Sequence, residues 1–165
     1  MAAVVRRAGR EDAGVFLELV CALAEYERLP PPDAEARARL VEHGFGERPR
    51  FDAYLVEVEG EAVGYAIVFE TYSSFLAQPT LYLEDLFVRP EARGQGAGRA
   101  LLRHLAAEAV RRGCGRMEWV VLGWNELARN VYRRIGAREL EEWRFCRLAG
   151  SELQALAAEC DNSYS

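Results

Sequence analysis

Arg93-Gly94-Gln95-Gly96-Ala97-Gly98 is the stretch on which the fold turns. Before it, Thr80 to Val88 reads as a mostly apolar strand that Pro90 ends. After it, Gly98 to Arg112 places Leu101, Leu102, Leu105 and Ala109 on one helical face. Arg111 and Arg112 suit the negative C-terminal end of that helix, and Gly113 stops it. A glycine-rich turn from strand to helix lets the backbone approach an anion with no Cβ in the way. The free N–H groups of the helix's first turn then point at the anion. The stretch therefore reads either as a phosphate cradle or as a flexible turn. A dinucleotide fingerprint needs its third glycine at position 99, which is Arg99. A Walker-type loop needs a lysine, and all 21 basic residues are arginine. The spacing that fits is Arg-x-x-Gly-x-Gly, at Arg93, Gly96 and Gly98.

Outward from this turn, the N-terminal side begins with a short strand, Val4 to Arg6. A helix is predicted from Glu11 to Glu27, with Phe16, Leu19, Val20 and Leu23 at helical spacing, stopped by Pro30-Pro31-Pro32. Asp33 can cap a second helix that ends near Gly44. Phe51 to Val58 and Val63 to Tyr72 read as antiparallel strands around a tight turn at Glu59-Gly60-Glu61, and Ser73 to Pro79 as a loop. On the C-terminal side follow a strand from Met117 to Leu122 and a helix from Asn125 to Ile135, ended by Gly136. A last strand, Trp143 to Leu148, precedes a helix from Ser151 to about Glu159. The order β-α-α-β-β-β-α-β-α-β-α predicts an α/β (α+β) fold with one mixed sheet of about six to seven strands. Residues 1–160 read as a single domain and 161–165 as a C-terminal tail.

Composition narrows the chemistry. The 165 residues suit one domain with a real core, able to bury roughly 70% of the unfolded surface. No apolar run approaches the roughly 20 residues of a membrane span, and Met1 to Arg10 lacks a signal peptide's apolar centre. A soluble cytoplasmic protein is expected, with no membrane partner. The net charge of −5 argues against a nucleic-acid partner; it fits an ordinary acidic protein or one that prefers cationic small molecules. Absence of lysine excludes lysine Schiff-base chemistry. Cys21, Cys114, Cys146 and Cys160 have no metal-ligand spacing, so no metal is expected. With only His43 and His104, a Ser-His-Asp or Cys-His arrangement has little to draw on.

Two sites carry titratable groups in unusual surroundings. Alternation along Thr80 to Val88 puts Tyr82, Glu84, Leu86 and Val88 on one face and Leu83, Asp85 and Phe87 on the other. Adjacent carboxylates in an apolar strand are costly unless paired or used. Glu84 and Asp85 are either held by an internal arginine or backbone N–H groups, or they do chemistry. A carboxylate such as Glu84 could hold an ammonium ion and take its proton, directly or through water. Tyr132 shares a helix face with Ala128 and Ile135, and by pattern alone it reads as core.

The element order and the Arg-x-x-Gly-x-Gly spacing resemble the GNAT superfamily of N-acetyltransferases over nearly the whole chain. Further stretches are similar to the spermidine/spermine (diamine) and thialysine acetyltransferases. They are Leu23-Ala24-Glu25-Tyr26-Glu27, His43-Gly44-Phe45-Gly46, Tyr82-Leu83-Glu84-Asp85, Trp124-Asn125-Glu126 and Tyr132-Arg133-Arg134-Ile135-Gly136-Ala137. The resemblance implies an acetyl-CoA-dependent transfer to a small primary amine, directly within a ternary complex, by a homodimeric enzyme. It assigns Tyr132 to protonation of the leaving thiolate, with Glu84 the candidate proton acceptor on its own chemistry. It places acetyl-CoA on Leu86, Phe87, Val88, Arg93, Gly94, Gln95, Gly96, Ala97, Gly98 and Arg99, with Asn125, Ala128 and Arg134. The strand end at Leu86-Phe87-Val88 is expected to splay from its neighbour and bind the pantetheine arm. The amine falls to Tyr26, Glu27, Glu84, Asp85, Glu118, Trp119, Val120 and Trp143. Residues 89–116 hold seven arginines against two glutamates, a local charge that suits a polyanionic substrate.

The chain departs from these relatives in two places. Leu140-Glu141-Glu142-Trp143 is shorter, and Phe75 stands roughly where a tryptophan is expected. Val121-Leu122 before Trp124, with Arg93-Gly94-Gln95-Gly96, leans toward the thialysine type. Arg133-Arg134 leans toward the diamine type, and the acceptor stays open between them. Acetylation of a protein or peptide and a silent acyl-CoA-binding module are the rival readings.

Overall fold

Two residues with positive φ, Glu59 (φ 56°) and Gly60 (φ 84°), turn the chain from β2 (Asp52–Val58) into β3 (Glu61–Ser73). Positive φ at both central positions matches the twist of the flanking strands, which is why two residues suffice. β3 then returns as β4 (Gln78–Val88). The predicted loop from Ser73 to Pro79 is shorter than expected, because Ser73 pairs with Gln78 and Tyr72 with Pro79. β1 (Val4–Arg7) joins β2, and β5 (Arg116–Glu118) joins β4, in a sheet of order β1-β2-β3-β4-β5. All neighbours are antiparallel except β4 and β5, the pair that a helical crossover connects. The computed structural model describes residues 2–160; the predicted tail at 161–165 lies outside the described residues.

Adjacent residues of β2 point to opposite faces of this sheet, and so the helices divide between the faces. Leu55 and Ala53 join a core with Phe16, Leu19, Tyr65, Ile67 and Phe87. That core is roofed by α1 (Ala13–Tyr26) and α2 (Ala34–Phe45), with Phe16 meeting Phe45 edge-on at 5.3 Å. Tyr54, on the opposite face, stacks against His104 of α3 (Ala97–Arg111) at 5.1 Å. α3 buries Leu101, Leu102, Leu105 and Ala109, the face its periodicity predicts. Arg112 follows α3 and ion-pairs Asp52 of β2 and Glu108, both at 2.7 Å, which ties the helix end to the sheet.

α1 ends earlier than the prolines require. Arg28 takes a left-handed conformation (φ 58°), and the Leu29 N–H bonds the Ala24 carbonyl. This reversal leaves Tyr26 and Glu27 at the helix terminus. Asp33 caps α2 as predicted, accepting from the Ala36 N–H at 2.8 Å.

The chain divides after Val120 into two compact units. The second contains α4 (Glu126–Arg134) and α5 (Gly150–Ala158). Two expectations fail here. The strand expected at Met117 to Leu122 is reduced to Arg116–Glu118, and the strand expected at Trp143 to Leu148 does not form. Alternation makes a strand possible, but a strand exists only where a neighbour supplies hydrogen bonds. Trp143 and Phe145 are 71% and 70% exposed, and residues 143–148 pair with no strand among the described residues. The sheet therefore has five strands rather than six to seven. No helix among the described residues is long and apolar enough to cross a membrane.

Candidate active site

The register of β3 against β4 skips one residue at the centre of the sheet. Ile67 pairs with Asp85 and Val68 with Leu83, so Glu84 is the extra residue of a β-bulge. Paired residues of antiparallel strands share a face. Leu83 therefore lies on the face of Val68, while Asp85 lies on the face of Ile67. This corrects the alternation expected from sequence, in which Leu83 and Asp85 shared one side. Tyr82 packs on Phe69 at 5.3 Å and shares the face of Asp85 and Phe87. The bulge thus sets Glu84 in an exposed position and Asp85 partly inside.

Both carboxylates line a cavity of about 410 Å³, with Leu40, Arg50, Phe51, Ile67 and Phe69 as its other walls. The Tyr65 hydroxyl donates to Asp85 Oδ2 at 2.8 Å. Burial pushes the Asp85 carboxyl up to about 6; the Tyr65 hydrogen bond works against the shift, and the charges of Glu84 and Glu27 add to it. Burial also raises Glu27, at the end of α1. Tyr82 is raised by burial and then by Glu84 and Glu118. A desolvated carboxylate with two further carboxylates acting on it forms a site prepared for a cation.

The end of β4 is open on one side. β5 pairs only with Thr80 to Tyr82, so among the described residues Leu83 to Val88 pair with no strand on that edge. The turn that follows keeps Gly94 and Gly96 in the left-handed region (φ 77° and 84°), and a Cβ at either would meet open space within 4 Å. Gly96 is the N-cap of α3 and offers no side chain to its first-turn N–H groups. An exposed glycine-rich turn with uncapped donors fits an anionic phosphate group. Arg93 behaves differently from its neighbours. Its Nε donates to the Val88 carbonyl at 3.0 Å, and its guanidinium lies 4.6 Å from the Tyr26 ring centroid. It braces the end of β4 against α1. Arg99 and Gln95 are exposed.

Of the amine-binding residues expected from sequence, Glu27 and Glu84 both act electrostatically on Asp85. Tyr26 lies 6.4 Å from Phe87 and beneath Arg93. Glu118 is ion-paired to Arg116 at 2.8 Å. Trp119 and Val120 follow β5, and Trp143 is on the second unit's irregular segment. In that unit Asn125 caps α4, its side chain accepting from the Ala128 N–H at 3.2 Å. Tyr132 is partly buried on α4, and its carbonyl accepts from Ala137 N–H at 3.0 Å. Arg129 and Arg133 both ion-pair Glu139, which fastens the helix to the segment after it, and Arg134 is exposed.

Residues 17–137 match the Acetyltransferase (GNAT) family. The chain belongs to the GNAT acetyltransferase family. This acetyltransferase is 36% identical over 171 residues to a thialysine N-epsilon-acetyltransferase of Sus scrofa, covering 96% of this chain and 100% of that one. It is 42% identical over 112 residues to an L-ornithine N5-acetyltransferase of Arabidopsis thaliana, covering 67% of this chain and 49% of that protein. Among solved structures, an integron cassette protein from the V. cholerae mobile metagenome superposes with a TM-score of 0.82 at 25% identity. That superposition covers 95% of this chain and 98% of the other. The protein is thus an N-acetyltransferase.

Sequence reasoning passed over Ile67 and Phe69, which line the cavity, and Tyr65, whose hydroxyl holds Asp85. The clue was present at Tyr65 alone: a tyrosine inside an apolar strand needs a partner for its hydroxyl.

Proposed function

We propose that this N-acetyltransferase moves the acetyl group of acetyl-CoA onto the primary amine of a small cationic acceptor, by direct transfer. The observation that carries the reading is the carboxylate pair at the β4 bulge, facing a cavity with apolar walls. Glu84 and Glu27 attract the ammonium. Asp85 takes its proton, directly or through water, because a carboxylate near 6 is better matched to that task than an ordinary one. Sequence reasoning favoured Glu84 for this step; the deeper position of Asp85 is the reason to move it. The open edge from Leu83 to Val88 supplies backbone groups for the pantetheine arm and for the thioester carbonyl. The Gly94 to Gly98 turn and the first N–H groups of α3 hold the phosphates. Tyr132 gives its phenolic proton to the departing thiolate, so that the C–S bond breaks as the N–C bond forms and no acetyl-enzyme is required.

The relatives named for thialysine and ornithine support an amine carried by an amino acid, and a diamine is the competing acceptor. The proposal includes a homodimer, and a monomeric mass by light scattering would overturn it. Release of CoA thiol from acetyl-CoA is the direct test, with thialysine, ornithine, lysine, putrescine, spermidine, short peptides and no amine. Turnover with one class of small amine is expected. Turnover only with peptides, or acetyl-CoA binding without turnover, would refute the proposal.

A further inference from the structure

Tyr65 is fully buried in β3, its ring edge-on to Phe16 at 5.6 Å and tilted against Phe87 at 6.5 Å. A ring packed on two sides fixes where its oxygen lies. That oxygen is 2.8 Å from Asp85 Oδ2, while Asp85 Oδ1 hydrogen-bonds no group among the described residues and Asp85 lines the cavity. We propose that Tyr65 is a positioning residue for acetyl transfer: it grips one oxygen of Asp85 from inside the core and leaves the other aimed at the acceptor amine. The inference rests on the assignment of Asp85 as the proton acceptor.

Burial and the Asp85 charge push the Tyr65 hydroxyl far above its ordinary value, so it remains a donor at every working pH. The other groups around Asp85 cannot replace it. Glu84 on the same strand and Glu27 at the end of α1 both oppose the charged carboxylate, and Cys21 of α1 acts on Tyr65 itself. Arg50, before β2, lines the cavity without an ion pair to Asp85, and Arg93 is spent on Val88 and Tyr26. Tyr65 is the neighbour whose hydrogen bond favours the ionised form.

Tyr65→Phe keeps the ring and deletes the donor. Two readouts separate the possibilities: the carboxyl ¹³C titration of Asp85, and kcat/KM against pH with thialysine and spermidine as the amines. Losing one hydrogen bond to a charged group should raise the carboxyl midpoint by about one to two pH units. The acid limb of kcat/KM should follow, giving about ten- to hundredfold slower turnover on that limb and convergence with the wild type at high pH. A structural defect would lower kcat/KM by one factor at all pH. An unmoved carboxyl midpoint in the folded variant overturns the inference and leaves Asp85 in place. A midpoint that moves while the acid limb stays put overturns the assignment of Asp85 and the positioning role with it. Should Y65F fail to fold, the wild-type Tyr65 hydroxyl proton serves instead. Its resonance should titrate with the midpoint of the acid limb, and a resonance indifferent to pH overturns the pairing.

Discussion

Asp85→Asn removes a charge from the cavity wall while leaving Tyr65 an oxygen to bind. In the folded protein the carboxyl sits at about 6, against 3.8 for an unperturbed aspartate. Its folded-state value is raised, so the native chain binds more protons than the unfolded chain between these two values. Native stability therefore falls as pH rises from about 4 to 6 and stays low above that window. A shift of about two pH units corresponds to about 3 kcal/mol, an upper bound because the cavity admits solvent that screens the charge. Asparagine carries no such burden. D85N should be more stable than the wild type at pH 8, by up to about 3 kcal/mol, with the gain vanishing near pH 4. Urea unfolding at pH 4, 6 and 8, compared at equal m-values, reads this directly. The same substitution should cut kcat/KM by about 10²- to 10⁴-fold, since nothing then takes the ammonium proton. A variant less stable than the wild type at pH 8, or a stability difference that does not change with pH, would refute the reasoning. The site would then owe nothing to a desolvated carboxylate.

Three further perturbations test other parts of the molecule. Gly64→Ala would drive a Cβ into the Phe87 carbonyl oxygen and set it 3.1 Å from Val88 Cα. The end of β4 must give way, at a cost of about 1–3 kcal/mol in urea unfolding and with a raised KM for acetyl-CoA. Tyr132→Phe should lower kcat at least about 10²-fold in thiol-release assays across pH 6 to 9 while acetyl-CoA binding by calorimetry holds; full activity would remove the hydroxyl from the mechanism. Asp33→Ala loses the cap on the Ala36 N–H and should cost about 1 kcal/mol in thermal unfolding, with kcat unchanged.

Much of this fold is written locally. The stripe Leu101, Leu102, Leu105 and Ala109 has the period of a helix and is the face that α3 buries. Glu59-Gly60 and the Gly94 and Gly96 positions need positive φ, and the residues present there supply or tolerate it. Asp33 caps by reaching three residues along its own chain. Each feature depends on interactions within a few residues, so one chain segment read alone contains the information. The neighbouring carboxylates Glu84 and Asp85 were likewise conspicuous by their cost in an apolar strand.

Other features exist only between segments. The extra residue at Glu84 is defined by which residues of β3 lie opposite, and this register turns Leu83 and Asp85 to different faces. A period-two reading of one strand has no access to the slip, because alternation assumes an unbroken ladder. Tyr65 finds Asp85 twenty residues away, through the same register. The Trp143 to Leu148 segment reads as a strand and still remains unpaired among the described residues, because backbone hydrogen bonds need a second strand within reach. Sequence alone thus determined the acetyltransferase family, the helices, the glycine-rich turn and the presence of two carboxylates. Tertiary structure decided which of those carboxylates is the more buried and which hydroxyl holds it, since burial and hydrogen-bond geometry are properties of packed neighbours and not of the chain.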